Sequence, residues 1–127
     1  MLFRSVAAGI DLVSGETVHA ALQDRPVQVH PDTGKALLGR AIPDFDRVLE
    51  IAVRATDETQ LGYVGADIVV DAQHGPVILE LNARPGLAIQ LANRTGLLPR
   101  LAAVQRKWQT GLPLLERIAL GRSIAAA

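Results

Sequence analysis

Cysteine is absent from the 127 residues, which excludes a disulfide framework and any thiolate metal site. Aromatic residues make up only 3% of the chain. Phe3, Phe45, Tyr63 and Trp108 are too few and too scattered to line a sugar cleft. Neither charge predominates: 13 basic residues balance 13 acidic ones, and the pI is about 6.8. That balance excludes the electrostatic footprint of a nucleic-acid or membrane-surface binder. The apolar runs fall far short of the ~20 residues that cross a bilayer. The opening MLFRSVAAGIDLV, with one Arg and Asp11, makes a poor secretory signal. These absences point to a cytoplasmic protein with no nucleic-acid or membrane partner, and the length allows one domain at most.

What is present begins with extended segments. Residues 5–12 (SVAAGIDL) read as a strand followed by a Ser14-Gly15-Glu16 turn. Thr17–Leu22 and Pro26–His30 read as two more, separated by Gln23-Asp24-Arg25; Pro26 stands at a strand start, where a missing N–H is tolerated. Pro31-Asp32-Thr33-Gly34 carries a strong turn signal. His19 and His30 flank turns and strand edges and read as surface or structural residues. From Pro43, the residues Phe45, Val48, Leu49, Ala52, Val53 and Thr56 recur with the helical period. Asp44 and Asp46 suit the positive end of that helix, which is expected to pack on the apolar face of a sheet.

The stretch Gly65–Gly86, GADIVVDAQHGPVILELNARPG, organises the rest. It reads as strands Tyr63–Asp71 and Pro76–Asn82 joined by an Ala72-Gln73-His74-Gly75 turn. If Asp71 faces Pro76, then Ala66–Leu81, Ile68–Leu79 and Val70–Val77 make one face wholly apolar. The other face pairs Val69 with Ile78, Asp67 with Glu80 and Gly65 with Asn82. A one-residue slip would mix core with solvent along the whole hairpin.

Two carboxylates directly opposite one another repel and require a proton, an Arg or a cation between them. Asn82 adds an amide oxygen on the same face, and Gly65 leaves room beside it. Such a hard, all-oxygen set suits Mg²⁺. The alternative is a half-exposed hairpin whose acids are solvated. Beyond it, Arg84-Pro85-Gly86 reads as a turn that brings backbone close to a ligand. Leu87–Asn93 reads as a short helix whose N-terminal N–H groups suit an anion. A helix from Leu97 sets Leu98, Leu101, Val104 (or Gln105) and Trp108 on one stripe; Gly111 and Pro113 break it. Leu114–Leu120 forms another helical segment, and Gly121–Ala127 is expected to fray.

GADIVVD followed by VILELNARPG resembles the C-terminal end of the ATP-grasp superfamily. ELNARPGLAIQLAN, with HPDTG and GIDL upstream, is most similar to its alpha-L-glutamate ligase-like, sugar-transfer-associated branch. The likeness covers most of residues 9–98. It implies an α+β fold, the C-terminal half of an ATP-grasp fold, with a mainly antiparallel sheet and helices packed on one face. It implies Asp67, Glu80 and Asn82 as ligands of Mg²⁺ (or Mn²⁺) on ATP phosphates, and Arg84 as a catalytic contact to phosphate or to the bound carboxylate. The chemistry implied is acyl-phosphate formation from a small carboxylate, then attack by an amine, an amino acid or peptide, to give an amide.

The same likeness implies lysines in a preceding half that hold phosphates and line the adenine pocket. Only Lys35 and Lys107 are present, and neither lies on a strand matching those roles. The Asn-Leu-His segment expected just before GIDL is also missing. The expectation is a single partial domain over 1–127, with 97–127 a helical extension, partnered by a missing N-terminal half and inactive alone. Two other classes stay open. One is a non-catalytic binding module derived from the same fold. The other is a retaining glycoside hydrolase, whose paired carboxyl groups have similar spacing.

Overall fold

A computed structural model describes residues 5–87 and 89–127. The fold is α+β, with every strand pair antiparallel. Strands β1 (Ala7–Ile10), β2 (Thr17–Leu22) and β3 (Arg25–Pro26) form one sheet in that order. Helix α1 (Phe45–Thr59) precedes a second sheet of β4 (Gly65–Asp71) and β5 (Gly75–Asn82). Helices α2 (Ile89–Asn93), α3 (Leu97–Lys107) and α4 (Leu114–Ala125) follow. The chain divides into two compact units: Met1–Ile42 with Leu87–Trp108 and Arg122–Ala127, and Pro43–Gly86 with Gln109–Gly121. Phe3 and the rest of the opening Met1–Arg4 lie outside the described residues, as does Ala88 within the expected Leu87–Asn93 helix.

In the first unit, β1 is shorter than expected because Asp11 ends it. Its carboxylate accepts the N–H groups of Val13 (3.2 Å) and Ser14 (3.1 Å), committing the chain to a turn. The Ser14 hydroxyl first, and then those backbone bonds, hold the Asp11 carboxyl below its usual range. Gln23 and Asp24, both at positive φ, close a two-residue turn, so β3 begins at Arg25 rather than Pro26. The expected strand Pro26–His30 is not continuous. After Val27, whose N–H reaches the Ala20 carbonyl, the chain forms a separate loop in which Val29 bridges Ala36 around the Pro31–Gly34 turn. The His30 ring accepts the Asp32 N–H at 3.2 Å, a structural role.

Thr17 fastens this loop region to β2. It is the buried polar residue among those described. Its hydroxyl donates to the Leu37 carbonyl (2.6 Å) and accepts the Arg40 N–H (3.0 Å), while its backbone bonds Arg40 and Gly39. Gly9 lets α2 approach β1 closely. A Cβ there would fall 2.6 Å from the Ala92 carbonyl oxygen and 2.8 Å from Asn93 Oδ1.

The second unit packs α1 against β4 and β5, as the helical stripe requires. Helix α1 leaves its axis at Gln60, which adopts positive φ, two residues before Gly62. Across the unit, Arg117 of α4 donates to both oxygens of Asp57 at 2.7 and 2.9 Å.

Two helical expectations need correction. Helix α4 does not end at Leu120 but runs to Ala125. The Gly121 penalty of ~1 kcal/mol is outweighed by Ala- and Ile-rich sequence and by the bond from Arg122 Nε to the Leu12 carbonyl at 3.0 Å. The α3 stripe is also more open than a core stripe, with Leu98 78% and Trp108 49% exposed. Among the described residues, Ala20 and Ala92 are the buried apolar ones, and no large side chain is fully buried.

Because so little is buried, polar staples carry unusual weight. Replacing Thr17 with Val leaves the Leu37 carbonyl and the Arg40 N–H without the hydroxyl in a part-buried place. Urea unfolding is expected to show a loss of about 1–3 kcal/mol, largely recovered in Thr17→Ser.

Candidate metal centre

The β4–β5 hairpin is shaped by its turn. Asp71 Oδ1 accepts the backbone N–H groups of Gln73 (2.9 Å) and His74 (2.8 Å) and lies 2.8 Å from the His74 ring. These bonds, the backbone ones foremost, hold the Asp71 carboxyl below its usual range. Gly75 follows at φ 70° and already pairs with Asp71, so the connection is the three residues 72–74. A three-residue hairpin loop closed by a glycine in this conformation is a favoured solution.

That turn corrects the expected register. Next to it the observed pairs are Asp71–Gly75, Val70–Pro76, Val69–Val77 and Ile68–Ile78. At the open end Asp67–Glu80, Ala66–Leu81 and Gly65–Asn82 stand as the sequence pattern requires. A bulge between Asp67 and Ile68 on β4's side of the ladder reconciles the two halves, and Leu79 is the unpaired residue on β5. Thus Ile68–Leu79, Val70–Val77, Val69–Ile78 and Asp71–Pro76 do not form. Leu79, expected on the apolar face, is 65% exposed. The physical reason is that a positive-φ Gly75 shortens the loop by one residue, and one residue must then be left over.

Above Val69 and Val77 the hairpin brings three oxygen-bearing side chains together. Asn82 Nδ2 donates to Glu80 Oε1 at 2.9 Å and to Asp67 Oδ2 at 3.4 Å. Asp67 is held above its usual carboxylate range, first by a hydrogen bond shared with Glu80, then by desolvation and by the neighbouring charge. No guanidinium of the described residues bonds to the cluster, and Arg84, in the exposed bend after β5, makes no hydrogen bond or ion pair among those residues. Among those residues no group of three His, Cys, Asp or Glu side chains gathers, so two carboxylates and one amide are the whole set.

The donors fit Mg²⁺, which takes one or two protein carboxylates and fills its other positions with water and phosphate oxygens. The amide presently offers its NH₂ to both acids. Turning about χ2 would bring Asn82 Oδ1 to the same point, replacing a donor between two acceptors by a third acceptor. A cation supplies what the amide N–H groups now supply, which is positive charge between two like charges.

One residue of the site escaped the sequence reading. The room beside Gly65 is filled by Pro85, since a Cβ on Gly65 would lie 2.7 Å from Pro85 Cβ. Glycine inside a strand signals close approach of another segment, and that signal was available. The ring thereby anchors the bend carrying Arg84 against β4. The expected anion-binding helix is α2, a five-residue element of the first unit, whereas Asp67, Glu80 and Asn82 belong to the second.

A family model described as sugar-transfer associated ATP-grasp matches residues 5–106. The chain belongs to the sugar-transfer associated ATP-grasp family. No curated protein and no solved structure matches it. Membership in this ATP-grasp family supports ATP binding and a ligase-like activity as the general class. The match spans both the β1–β2 segment and the ELNARPG segment of the second hairpin strand.

The raised Asp67 carboxyl has a thermodynamic sign. The folded chain holds this proton more tightly than the unfolded chain, so stability is fully present below the unfolded value. It is lost as pH rises through the raised folded value. Asp67→Asn removes the repulsion; its melting temperature at neutral pH is expected to exceed that of the parent, with a flatter acid-to-neutral profile. A lower neutral melting temperature would contradict the account. Separately, Gly65→Ala forces Pro85 away from β4. It is expected to cost about 1–3 kcal/mol in denaturant unfolding, with amide shifts at residues 82–86 in NMR spectra.

Proposed function

We propose that Asp67, Glu80 and Asn82 hold Mg²⁺ (or Mn²⁺) for ATP in a carboxylate–amine ligase reaction. The observation that carries this reading is the meeting of two carboxylates and an amide on one face of the hairpin, with Asp67 driven towards its protonated form by Glu80. That strain is relieved by a divalent cation. The family supports ATP as the co-substrate.

Bound there, the metal would neutralise charge on the triphosphate and hold its oxygens in place. The chain's own contribution is positional. Asp67 and Glu80 present their oxygens from paired strands, so their separation is fixed by the ladder. Asn82 is aligned two residues beyond Glu80, and Val69 with Val77 forms an apolar floor beneath. In this reading Arg84, on the bend anchored by Pro85, meets an anionic oxygen of phosphate or of the substrate carboxylate.

In the reaction, a carboxylate oxygen bonds to the γ-phosphorus of ATP and ADP leaves. The amine nitrogen then bonds to the acyl carbon, inorganic phosphate leaves, and the amine loses a proton. A small carboxylic acid and an amino acid or peptide amine are the substrates of this reading. In this reading the adenine and the far side of the triphosphate are held by a complementary ATP-grasp half, on which turnover depends. The exposed apolar side chains Val70, Val77, Leu79 and Leu81 of the hairpin support such a complement. A cytoplasmic setting supplies Mg-ATP, and no helix among the described residues is long and apolar enough to cross a membrane.

Paramagnetic Mn²⁺ added at low ratio to the full chain tests the site directly. Amide signals of Asp67, Glu80 and Asn82 are expected to broaden first, with Mg²⁺ competing the effect away. The combined change Asp67→Asn with Glu80→Gln is expected to abolish it. Broadening centred elsewhere, or undiminished in the double variant, would overturn the assignment.

A further inference from the structure

A small cavity lies in the first unit, away in sequence from the metal cluster. It holds about 110 Å³, well below the ~300 Å³ at which pockets for drug-sized ligands begin. Ala20, Ala21 and Ala92 give it an apolar lining, and Ala20 and Ala92 are the buried apolar residues among those described. Around this lining stand His19, Asp24 and Arg94. His19 comes from β2, Asp24 from the turn between β2 and β3, and Arg94 from the residue after α2.

Asp24 and Arg94 are exposed and His19 is half-buried. Asp24 and Arg94 both line one small cavity, yet no ion pair within 4.0 Å joins them among the described residues. Neither side chain, nor His19, has a hydrogen-bond or ion-pair partner among those residues. A guanidinium and a carboxylate that line the same small cavity, neither bonded within the described residues, suit a ligand bearing both complements. Arg94 offers a planar fork matched to a carboxylate. Asp24 accepts from an ammonium, and His19 adds a further polar contact.

We propose that this cavity is a binding site for a small zwitterion, an α-amino acid with little or no side chain. The volume suits a small ligand: an amino group, a carboxylate and a methyl occupy about this space. The charge pair selects class: a simple carboxylate leaves Asp24 unmatched, and a simple amine leaves Arg94 unmatched. The alanine lining meets the Cα and a methyl group. The site goes beyond the ligase reading and does not rest on it, because none of its residues belongs to the metal cluster.

Titration of the full ¹⁵N-labelled chain with glycine and L-alanine tests the proposal, with acetate, methylamine and L-phenylalanine as comparison ligands. Expected are saturable shifts confined to Ala20, Ala21, Asp24, Ala92 and Arg94, with the comparison ligands at least about tenfold weaker. Asp24→Asn and Arg94→Gln are each expected to weaken glycine binding by about tenfold or more. Each variant's own spectrum shows whether the fold is intact, and Arg94→Lys is expected to retain part of the affinity. Acetate binding as tightly as glycine with no effect of Asp24→Asn would overturn the zwitterion and leave an anion site. No localised shift with any amino acid would overturn the site altogether. Mn²⁺ broadening at Asp67, Glu80 and Asn82 is read in the same sample, so failure here is distinct from failure of the metal site.

Discussion

A single unpaired residue, Leu79, allows the hairpin to satisfy two incompatible demands. The turn end requires Gly75 opposite Asp71, because Asp71 caps a three-residue loop and Gly75 accepts a positive φ. The open end requires Glu80 opposite Asp67, because only that pairing sets the two acids and Asn82 on one face. The two registers differ by one residue. A bulge absorbs the difference and locally increases twist, at the cost of exposing one leucine. Bulges gather beside functional sites for this reason: they re-aim side chains without lengthening a strand's partner.

The cluster above the bulge is a balance of attraction and repulsion. Glu80 raises the carboxyl of Asp67, while the Asn82 amide bonds both acids. In contrast to a guanidinium, a neutral amide relieves like-charge repulsion only partly, so a cation retains an advantage. A buried Arg–carboxylate pair in the same place would have been self-sufficient and chemically inert. The hairpin therefore keeps a mild instability on one face, and the apolar pairs Ile68–Ile78 and Ala66–Leu81 on the other face oppose it.

Much of this was legible in the residues. The alternation in GADIVV and VILELN sets the faces, and Thr17–Leu22 and the stripe from Phe45 appear where their periodicities put them. The acid pair and Asn82 stand where a register set by Asp71 facing Pro76 puts them, although that turn pairing is itself wrong, because the bulge restores the offset beyond Leu79. The bulge did not follow, because register near a turn depends on whether Gly75 belongs to the loop or to the strand. Composition alone cannot tell those cases apart. Pro85 beside Gly65 was hidden for a different reason, since a glycine reports that something is near without reporting what. The Gly121 crossing in α4 was missed because one tertiary bond, from Arg122 to the Leu12 carbonyl, outweighs a local propensity.

The near absence of a large-residue core gives these polar devices their weight. With Ala20 and Ala92 as the buried apolar residues among those described, area burial contributes little per residue at ~25 cal/mol per Å². Stability then depends on fixed hydrogen bonds: Thr17 to Leu37 and Arg40, Asp71 to its turn, Arg117 to Asp57. None of these is spent inside the acid cluster or the small cavity of the first unit. Groups that stabilise are paired, whereas Asp24, Arg94 and Arg84 are unpaired among the described residues. The side chains of Lys35 and Arg106 are equally unpaired among the described residues, so what distinguishes Asp24, Arg94 and Arg84 is their place beside a cavity or after the ligand-bearing strand, and not the lack of a partner.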